Sequence, residues 1–174
     1  YSVSEWELVN TNPKFVKEDT KYMQQTETLA NGNTQSAVMF RDGIEEYYRD
    51  TEFLLLPPAS FNDSNCWMAQ IFKIQLGDTE IPKDQIMVQR FPDNYRAIYI
   101  WFKSTEISEL FVDAMLEGIP VTIYLKDNDV KTIFTINNTN FKELFEKSLT
   151  DFTNIITAKE EKARLEKESE VNSW

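Results

Sequence analysis

The stretch 97–136, AIYIWFKSTEISELFVDAMLEGIPVTIYLKDNDVKTIFTI, decides the fold class because its hydrophobic period changes twice. Residues 97–102 form a short apolar and aromatic run, which is typical of a strand. After Lys103 the apolar residues follow the spacing of an amphipathic helix, and they are Ile107, Leu110, Phe111, Ala114 and Met115. A strand therefore leads directly into a helix.

A hairpin follows this helix. Gly118 and Pro120 end the helix, since glycine favours the left-handed backbone of a helix end and proline cannot continue a helix. Residues 121–125 and 130–136 are rich in β-branched side chains and flank the turn formers Asp127-Asn128-Asp129. The succession of strand, helix and hairpin predicts an α+β domain, which we expect to be mainly an antiparallel β-sandwich or bent sheet with two packing helices.

The rest of the first hundred residues predicts further strands separated by turn residues. These strands are 5–9, 20–29, 37–40, 45–48, 67–76 and 86–91. Turns at 10–13 and 31–33 separate the first strands, Asp42-Gly43 predicts a hairpin before 45–48, and Pro92-Asp93-Asn94 predicts another between 86–91 and 97–102. Within 67–76 we expect three side chains to share one face, namely Phe72, Ile74 and Leu76.

The last part of the chain predicts a second helix that becomes polar along its length. Asn140 with Glu143 resembles a capping box, and the apolar positions that follow are Phe141, Leu144, Phe145, Leu149 and Phe152. Beyond Ile156 the apolar stripe fades into 159–170, where both charge signs are mixed. We therefore predict one β-rich domain over 1–156 and a charged helical extension over 157–174. Packing of this helix on its own domain is preferred to a role in docking or oligomerisation.

The composition narrows the classes of partner. The chain has 174 residues, as expected for one domain, and 41% hydrophobic residues argue against disorder. A net charge of −11 repels phosphate backbones and anionic membrane surfaces, so we expect no nucleic acid partner. The same charge attracts basic proteins, although acidity also serves solubility. No run reaches the roughly 18 apolar residues of a membrane span, so we expect no direct membrane insertion.

The inventory of reactive side chains excludes several classes of enzyme. The chain has no histidine, which removes Ser-His-Asp and Cys-His catalysis and histidine-bearing zinc sites. No glycine-rich phosphate-binding motif is present. Glu45 and Glu46 are neighbours in a predicted strand, so their carboxylates point to opposite faces. We therefore predict a protein that is not an enzyme and has no catalytic residue, no cofactor and no metal.

Some short patterns have a structural interpretation that we prefer to a chemical one. Asp127 and Asp129 offer oxygen ligands to Ca²⁺, but the glycine and glutamate of an EF-hand are missing, so a turn is preferred and cation binding stays open. Lys103-Ser104 is better explained by a helix N-cap than by a Ser-Lys dyad. Core packing is preferred to a binding groove for Trp6, Trp67 and Trp101. An open sheet edge is the generic way for such a domain to bind a partner, and the binding residues are unknown.

The order of the motifs is similar to that of a bacterial family. The segments are FRDG at 40–43, EEYY at 45–48, VQRFPD at 88–93, YIWFKS at 99–104 and VTIY at 121–124. Together with the helix and the terminal helix, they resemble the invasion-associated locus B-like proteins and the type VI secretion-associated periplasmic proteins. Phe40 stands where that family usually has a cysteine. The resemblance spans the chain from Trp6 to Leu149.

This resemblance implies an exported, secretion-associated β-sandwich with an accessory role in the envelope and a protein partner. Its motif positions Arg41, Asp42, Arg90 and Asp93 would then serve structural turns and buried ion pairing. The start at Tyr1 and not at Met favours a processed or a trimmed protein whose signal peptide or anchor is missing, and we therefore expect a periplasmic or extracellular location. Cys66 is the only cysteine, so no intrachain disulfide reports the compartment.

Two other classes of function stay open. The first is a cytoplasmic acidic adaptor or inhibitor, similar to an immunity protein, that binds a basic effector through charge complementarity. The second is a carboxylate-based hydrolase, which would need two acids that converge in one pocket. Oligomeric state and partner identity do not follow from these patterns.

Overall fold

Two antiparallel sheets and three helices make up the fold in a computed structural model, which describes residues 2–9, 21–43, 48, 50–62, 69–90 and 97–174. In chain order the elements are β1 (Ser2–Val3), β2 (Glu7–Val9), β3 (Tyr22–Thr28), β4 (Thr34–Arg41), β5 (Thr51–Leu56), α1 (Ala59–Asn62), β6 (Gln70–Leu76), β7 (Thr79–Glu80), a 3-10 turn (Lys83–Gln85), β8 (Ile86–Arg90), β9 (Ile98–Phe102), α2 (Thr105–Leu116), β10 (Val121–Asp127), β11 (Val130–Ile136) and α3 (Phe141–Asn172). The predicted α+β class is confirmed.

The first sheet has the described strand order β1-β3-β4-β5-β9-β8, and β2 also pairs with β3. The turn at Asn31-Gly32-Asn33 joins β3 to β4, and Gly32 has a φ of +85°, which suits a residue without Cβ. β8 and β9 are antiparallel, with Ile86 opposite Phe102, so the hairpin predicted between them is confirmed. The turn predicted at Pro92-Asp93-Asn94 lies outside the described residues.

The hairpin predicted after Asp42-Gly43 has a different return strand. β4 pairs with β5, with Arg41 opposite Thr51, whereas Tyr48 lies in a turn. The predicted partner 45–48 was therefore wrong at Tyr48, and Glu45 and Glu46 lie outside the described residues. The apolar run of β5 has no alternation because Phe53, Leu54 and Leu55 are buried on both faces of the sheet, so the pattern of a half-buried strand is missing.

The second sheet has the described order β11-β10-β6-β7. The hairpin of β10 and β11 is confirmed, with Asp127 opposite Val130 and Asn128 at a φ of +51° in the turn. The register between β10 and β6 shifts between Tyr124 and Leu125, where the partner moves from Lys73 to Ile71. Phe72 is the extra residue of this bulge, since it has no partner in the register of β10, and its side chain is 62% exposed. The expectation that Phe72 shares the buried face of Ile74 and Leu76 was therefore wrong.

Helix α2 begins and ends as predicted. Ser104 is the N-cap, and its Oγ accepts the N–H of Ile107 at 3.3 Å. Gly118 follows the helix with a φ of +78°. The buried side chains of α2 are Phe111, Val112, Ala114 and Met115, whereas Leu110 is 40% exposed. The apolar face is thus rotated slightly toward Val112.

Helix α3 is longer than its packed part. Asn140 precedes it, but the Asn140 side chain bonds no helix N–H. Instead Asn140 Oδ1 accepts the N–H of Trp6 at 3.0 Å, and Nδ2 donates to the Trp6 carbonyl at 2.8 Å. The predicted capping box is therefore wrong, because a segment distant in sequence occupies the amide. Every residue from 157 to 174 is exposed, although the proposed division into two parts stays a prediction.

One core joins both sheets to α2 and α3. Its buried residues include Met39 and Leu55 from the first sheet, and Ile123 and Phe134 from the second. Helices α2 and α3 contribute further buried side chains, which include Phe111, Met115, Phe141 and Phe145. A separate buried cluster lies on the other face of the first sheet, and it consists of Tyr22, Val38, Phe40, Leu54, Ala97 and Tyr99. On the outer face of the second sheet, Phe72 and Ile133 are exposed.

Candidate binding surface

The outer face of the second sheet carries exposed apolar side chains. Tyr124 and Ile133 are directly opposite each other on β10 and β11, and the bulge in β6 places Phe72 beside them. Phe72 is 62% exposed and Ile133 is 48% exposed. The three side chains line a groove of about 250 Å³. Large apolar side chains grouped at a surface mark interaction sites more often than single exposed ones do.

Lysines surround these apolar side chains. Lys83 Nζ lies 5.3 Å from the centroid of the Phe72 ring, and Lys73 Nζ lies 5.7 Å from that of Tyr124. Lys126 and Lys131 also line the groove. We call this surface the Phe72 face, and it consists of Phe72, Tyr124 and Ile133 with Lys73, Lys83, Lys126 and Lys131. Its cations contrast with the net charge of −11.

The lysines differ in how their charge is compensated. Lys73 Nζ lies 3.9 Å from Glu80 Oε2, which is the limit of an ion pair. Lys126 and Lys131 are directly opposite each other in the register of β10 and β11, and both are exposed. Two like charges in such a cross-strand pair repel each other. A negative group bound between them would relieve this repulsion.

The outer edge of β11 is closed by side chains from the first sheet. Gln25 Nε2 donates to the Asn137 carbonyl at 2.6 Å, and its Oε1 accepts the Asn137 N–H at 2.9 Å. Glu27 Oε1 accepts the N–H of Thr135 at 3.1 Å, and Gln35 Nε2 donates to the Ile133 carbonyl at 2.8 Å. All three side chains are buried. A partner strand therefore cannot pair with β11. Of the sheet edges that could accept a partner strand, this one is closed.

The first sheet ends in an edge strand, β8, which is a second candidate for pairing with a partner strand. Among the described strands of the first sheet, β8 lies at the end opposite to β1, and it pairs with β9. Its outward side chains include Met87, which is exposed. An edge of five residues offers less to a partner than the wider Phe72 face.

A second cavity lies between α2 and the first sheet. It measures about 230 Å³ and its lining is mostly aromatic and apolar, with the hydroxyl groups of Tyr48, Thr51 and Ser108. Tyr48 Oη donates to Asp113 Oδ1 at 3.4 Å. Pockets for small molecules usually measure roughly 300–1,000 Å³. The cavity and the groove of the Phe72 face both lie below that range, so volume does not separate them. We prefer the Phe72 face because Phe72 and Ile133 are exposed there, whereas Phe53 and Phe111 in this cavity are buried.

The tryptophans and Ser104, which were candidate site residues from the sequence, make structural contacts where the structure describes them. Trp6 is buried, its Nε1 donates to Asn138 Oδ1 at 3.0 Å, and its ring packs edge to face on Phe141. Trp101 is half-buried, and its Nε1 donates to Glu52 Oε2 at 2.8 Å. Trp67 and Cys66 lie outside the described residues. Ser104 of the Lys103-Ser104 pair is the N-cap of α2.

Asp127 and Asp129 lie in very different environments. Asp127 is 1% exposed, and neither of its carboxylate oxygens has a hydrogen-bond partner among the residues that the structure describes. Asp129 is exposed in the turn. In the described ranges, no group of three or more Asp, Glu, Cys or His side chains could hold a metal ion. Over those ranges, Asp127 and Asp129 belong to no such group.

The motif residue Arg41 has structural contacts at the end of β4. Its guanidinium donates to Thr51 Oγ1 and to the Gly43 carbonyl, and it lies 5.8 Å from the centroid of the Phe145 ring. Burial lowers the pKa of Arg41 below its ordinary value, and the negative charge of Asp50 opposes this effect. Asp42 donates its N–H to the Asp50 carbonyl. Asp93 lies outside the described residues.

Sequence reasoning missed the Phe72 face. The pattern of 67–76 assigned Phe72 to the buried side, and only the bulge exposes it. The facing lysines had only part of a signal in the sequence. The two-residue turn at Asn128-Asp129 places Lys126 opposite Lys131, whereas a three-residue turn at Asp127-Asn128-Asp129 would place Lys126 opposite Val130.

Comparisons with known proteins add no further information about this chain: no family profile, no curated protein and no solved structure matches it. Over the described residues, none of the helices combines the length and the apolar character that crossing a membrane requires.

Proposed function

We propose that this chain is a non-enzymatic, exported accessory protein of the bacterial envelope that binds a protein partner through the Phe72 face. The observation that carries the proposal is the exposure of Phe72 and Ile133 beside a groove on the outer face of the second sheet. Interfaces between proteins are enriched in aromatic anchors that lie in such grooves. Export and the envelope location rest on the motif resemblance.

The binding surface is tested with matched variants of the full chain. Phe72→Ser with Ile133→Ser removes the apolar groups of the face, whereas Leu165→Ser removes an apolar group of similar exposure, 51%, from the distant part of α3. Each purified protein is used to capture native proteins from the cells that make it. We expect one partner that the wild type and Leu165→Ser retain and that the double variant loses. Equal capture by all three proteins would contradict the role of the face.

The location is tested by cell fractionation of the native product with determination of its mature N-terminus. Recovery from the periplasm with a cleaved end near Tyr1 supports export. Recovery from the cytosol with an intact upstream Met would instead support an acidic adaptor or inhibitor that binds a basic effector. The net charge of −11 favours this second candidate, because it attracts basic proteins.

A further inference from the structure

The lysines of the Phe72 face restrict the chemistry of its occupant. The three apolar side chains offer contact area to any apolar group, but the ammonium groups of Lys126 and Lys131, which line the groove, repel cations. Lys126 and Lys131 repel each other across the hairpin. A carboxylate placed between them removes that repulsion and gains two ion pairs.

We infer that the occupant is an acidic polypeptide segment that carries an aromatic or branched aliphatic side chain next to its carboxylates. This inference rests on the proposed function. The apolar side chain lies in the groove between Phe72 and Ile133, and the carboxylates contact Lys126 and Lys131. At about 250 Å³, the groove is smaller than the usual pocket for a drug-sized molecule, and it suits a side-chain anchor.

The rest of the chain decides between an acidic segment and an anionic membrane. The chain has 29 acidic residues and 18 basic ones, so a wide anionic surface would face mostly negative charge outside the Phe72 face. A short segment stays close to the lysines, and charges farther than roughly 8 Å away are screened at physiological salt. A segment of a few residues therefore fits this charge distribution better than a lipid surface does.

The test uses two blocked synthetic peptides of equal length in which Phe and Leu alternate with Glu in one and with Lys in the other. Isothermal titration gives the affinities for the full chain, and amide chemical shifts locate the binding. We expect the Glu peptide to shift the amides of β6, β10 and β11 and to bind about tenfold more tightly than the Lys peptide, as two exposed ion pairs would give.

A charge reversal supplies the decisive comparison. Lys126→Glu with Lys131→Glu should invert the preference, so that the Lys peptide binds more tightly. Lys162→Glu with Lys167→Glu, on the exposed part of α3, changes the net charge equally and should leave the preference unchanged. Phe72→Ser should weaken both peptides.

The remaining outcomes separate the inference from the proposed function. Equal binding of both peptides at the Phe72 face would overturn the acidic preference but leave a polypeptide-binding surface. Absence of shifts with either peptide would overturn the inference, and the capture experiment then decides the function by itself. Binding of phosphatidylglycerol vesicles in preference to the Glu peptide, lost in Lys126→Glu with Lys131→Glu, would assign the face to a membrane.

Discussion

At the scale of single residues, Asp127 carries the clearest energetic cost. Its carboxylate is buried, and no described residue bonds its oxygens. An ionised carboxylate in such a place loses its hydration without compensation. We expect Asp127→Asn to raise the free energy of unfolding by about 1–2 kcal/mol, since the neutral amide is cheaper to bury. Urea denaturation measures this change.

The exposed neighbour in the same turn gives the control. Asp129→Asn should change the free energy of unfolding very little, because Asp129 remains hydrated. If Asp127→Asn instead destabilises the protein, and Ca²⁺ raises the melting temperature of the wild type alone, the Asp127 carboxylate holds a cation in solution.

Phe72 shows why one residue of a predicted strand can escape prediction. The strand 67–76 was correct in type over Gln70–Leu76, and the burial of Ile74 and Leu76 follows from their spacing. The bulge opposite Tyr124 and Leu125 depends on the pairing of β6 with β10, which are far apart in the sequence. No local pattern encodes such a pairing, so the exposed aromatic anchor could not be predicted.

At the scale of elements, the side chains that close β11 break the usual rule that charged and amide side chains stay exposed. Gln25 replaces a missing neighbouring strand by bonding both backbone groups of Asn137. We expect Gln25→Met, which is similar in size, to lower the free energy of unfolding by about 2 kcal/mol, because two partly buried backbone groups lose their partners. Urea denaturation measures the loss.

Gln89→Met is the matched control for this substitution. Gln89 is exposed on β8, so the same chemical change should leave the free energy of unfolding nearly constant. A result in which both variants lose equal stability would show that methionine itself disfavours these strands, and that the bonds to β11 contribute little.

Helix α3 combines a packed half with an exposed half. Phe141 and Phe145 are buried against the core, whereas residues 157–174 are exposed throughout. We expect a chain that ends at Ile156 to melt within about 2 °C of the full chain, since a helix is stabilised mainly where its apolar face packs. Thermal denaturation followed by circular dichroism checks this, together with a smaller helical signal.

The packed half supplies the contrast for this deletion. Phe145→Ala should lower the free energy of unfolding by about 3–5 kcal/mol, as for other buried aromatic residues. A large loss of stability on removal of 157–174 would show that this segment packs on the domain in solution.

At the scale of the whole molecule, the architecture follows from local signals more closely than the binding surface does. The strand, helix and hairpin of 97–136 have the order that their periodicity predicted. The period of the apolar residues marks the type of each element, although β9 and β10 also pair with the distant strands β5 and β6. The return strand β5 was missed, since burial on both faces removes the alternation that marks a strand. The Phe72 face and the closure of β11 depend on contacts between segments that are distant in the sequence, and local sequence patterns do not predict such contacts.

The uneven charge of the molecule predicts how salt acts on its stability. The net charge is −11, so the acidic side chains of the folded state repel one another more than the basic ones attract them. Salt screens this repulsion. We therefore expect NaCl to raise the urea midpoint of unfolding steeply at low concentration. The rise should flatten above roughly 0.5 M, where the screening length falls toward about 3 Å and little repulsion remains to be screened.

The shape of this salt dependence separates screening from other effects of salt. Stabilisation by exclusion of the salt from the protein surface grows steadily with concentration and does not flatten. A midpoint that climbs linearly to high NaCl would therefore contradict self-repulsion as the cause. A midpoint that falls with salt would mean that attractive pairs, such as Lys21 with Asp151 and Arg164 with Glu161, outweigh the net charge. In that case the excess of acidic residues lowers the free energy of unfolding very little, and its role lies in partner binding or in solubility.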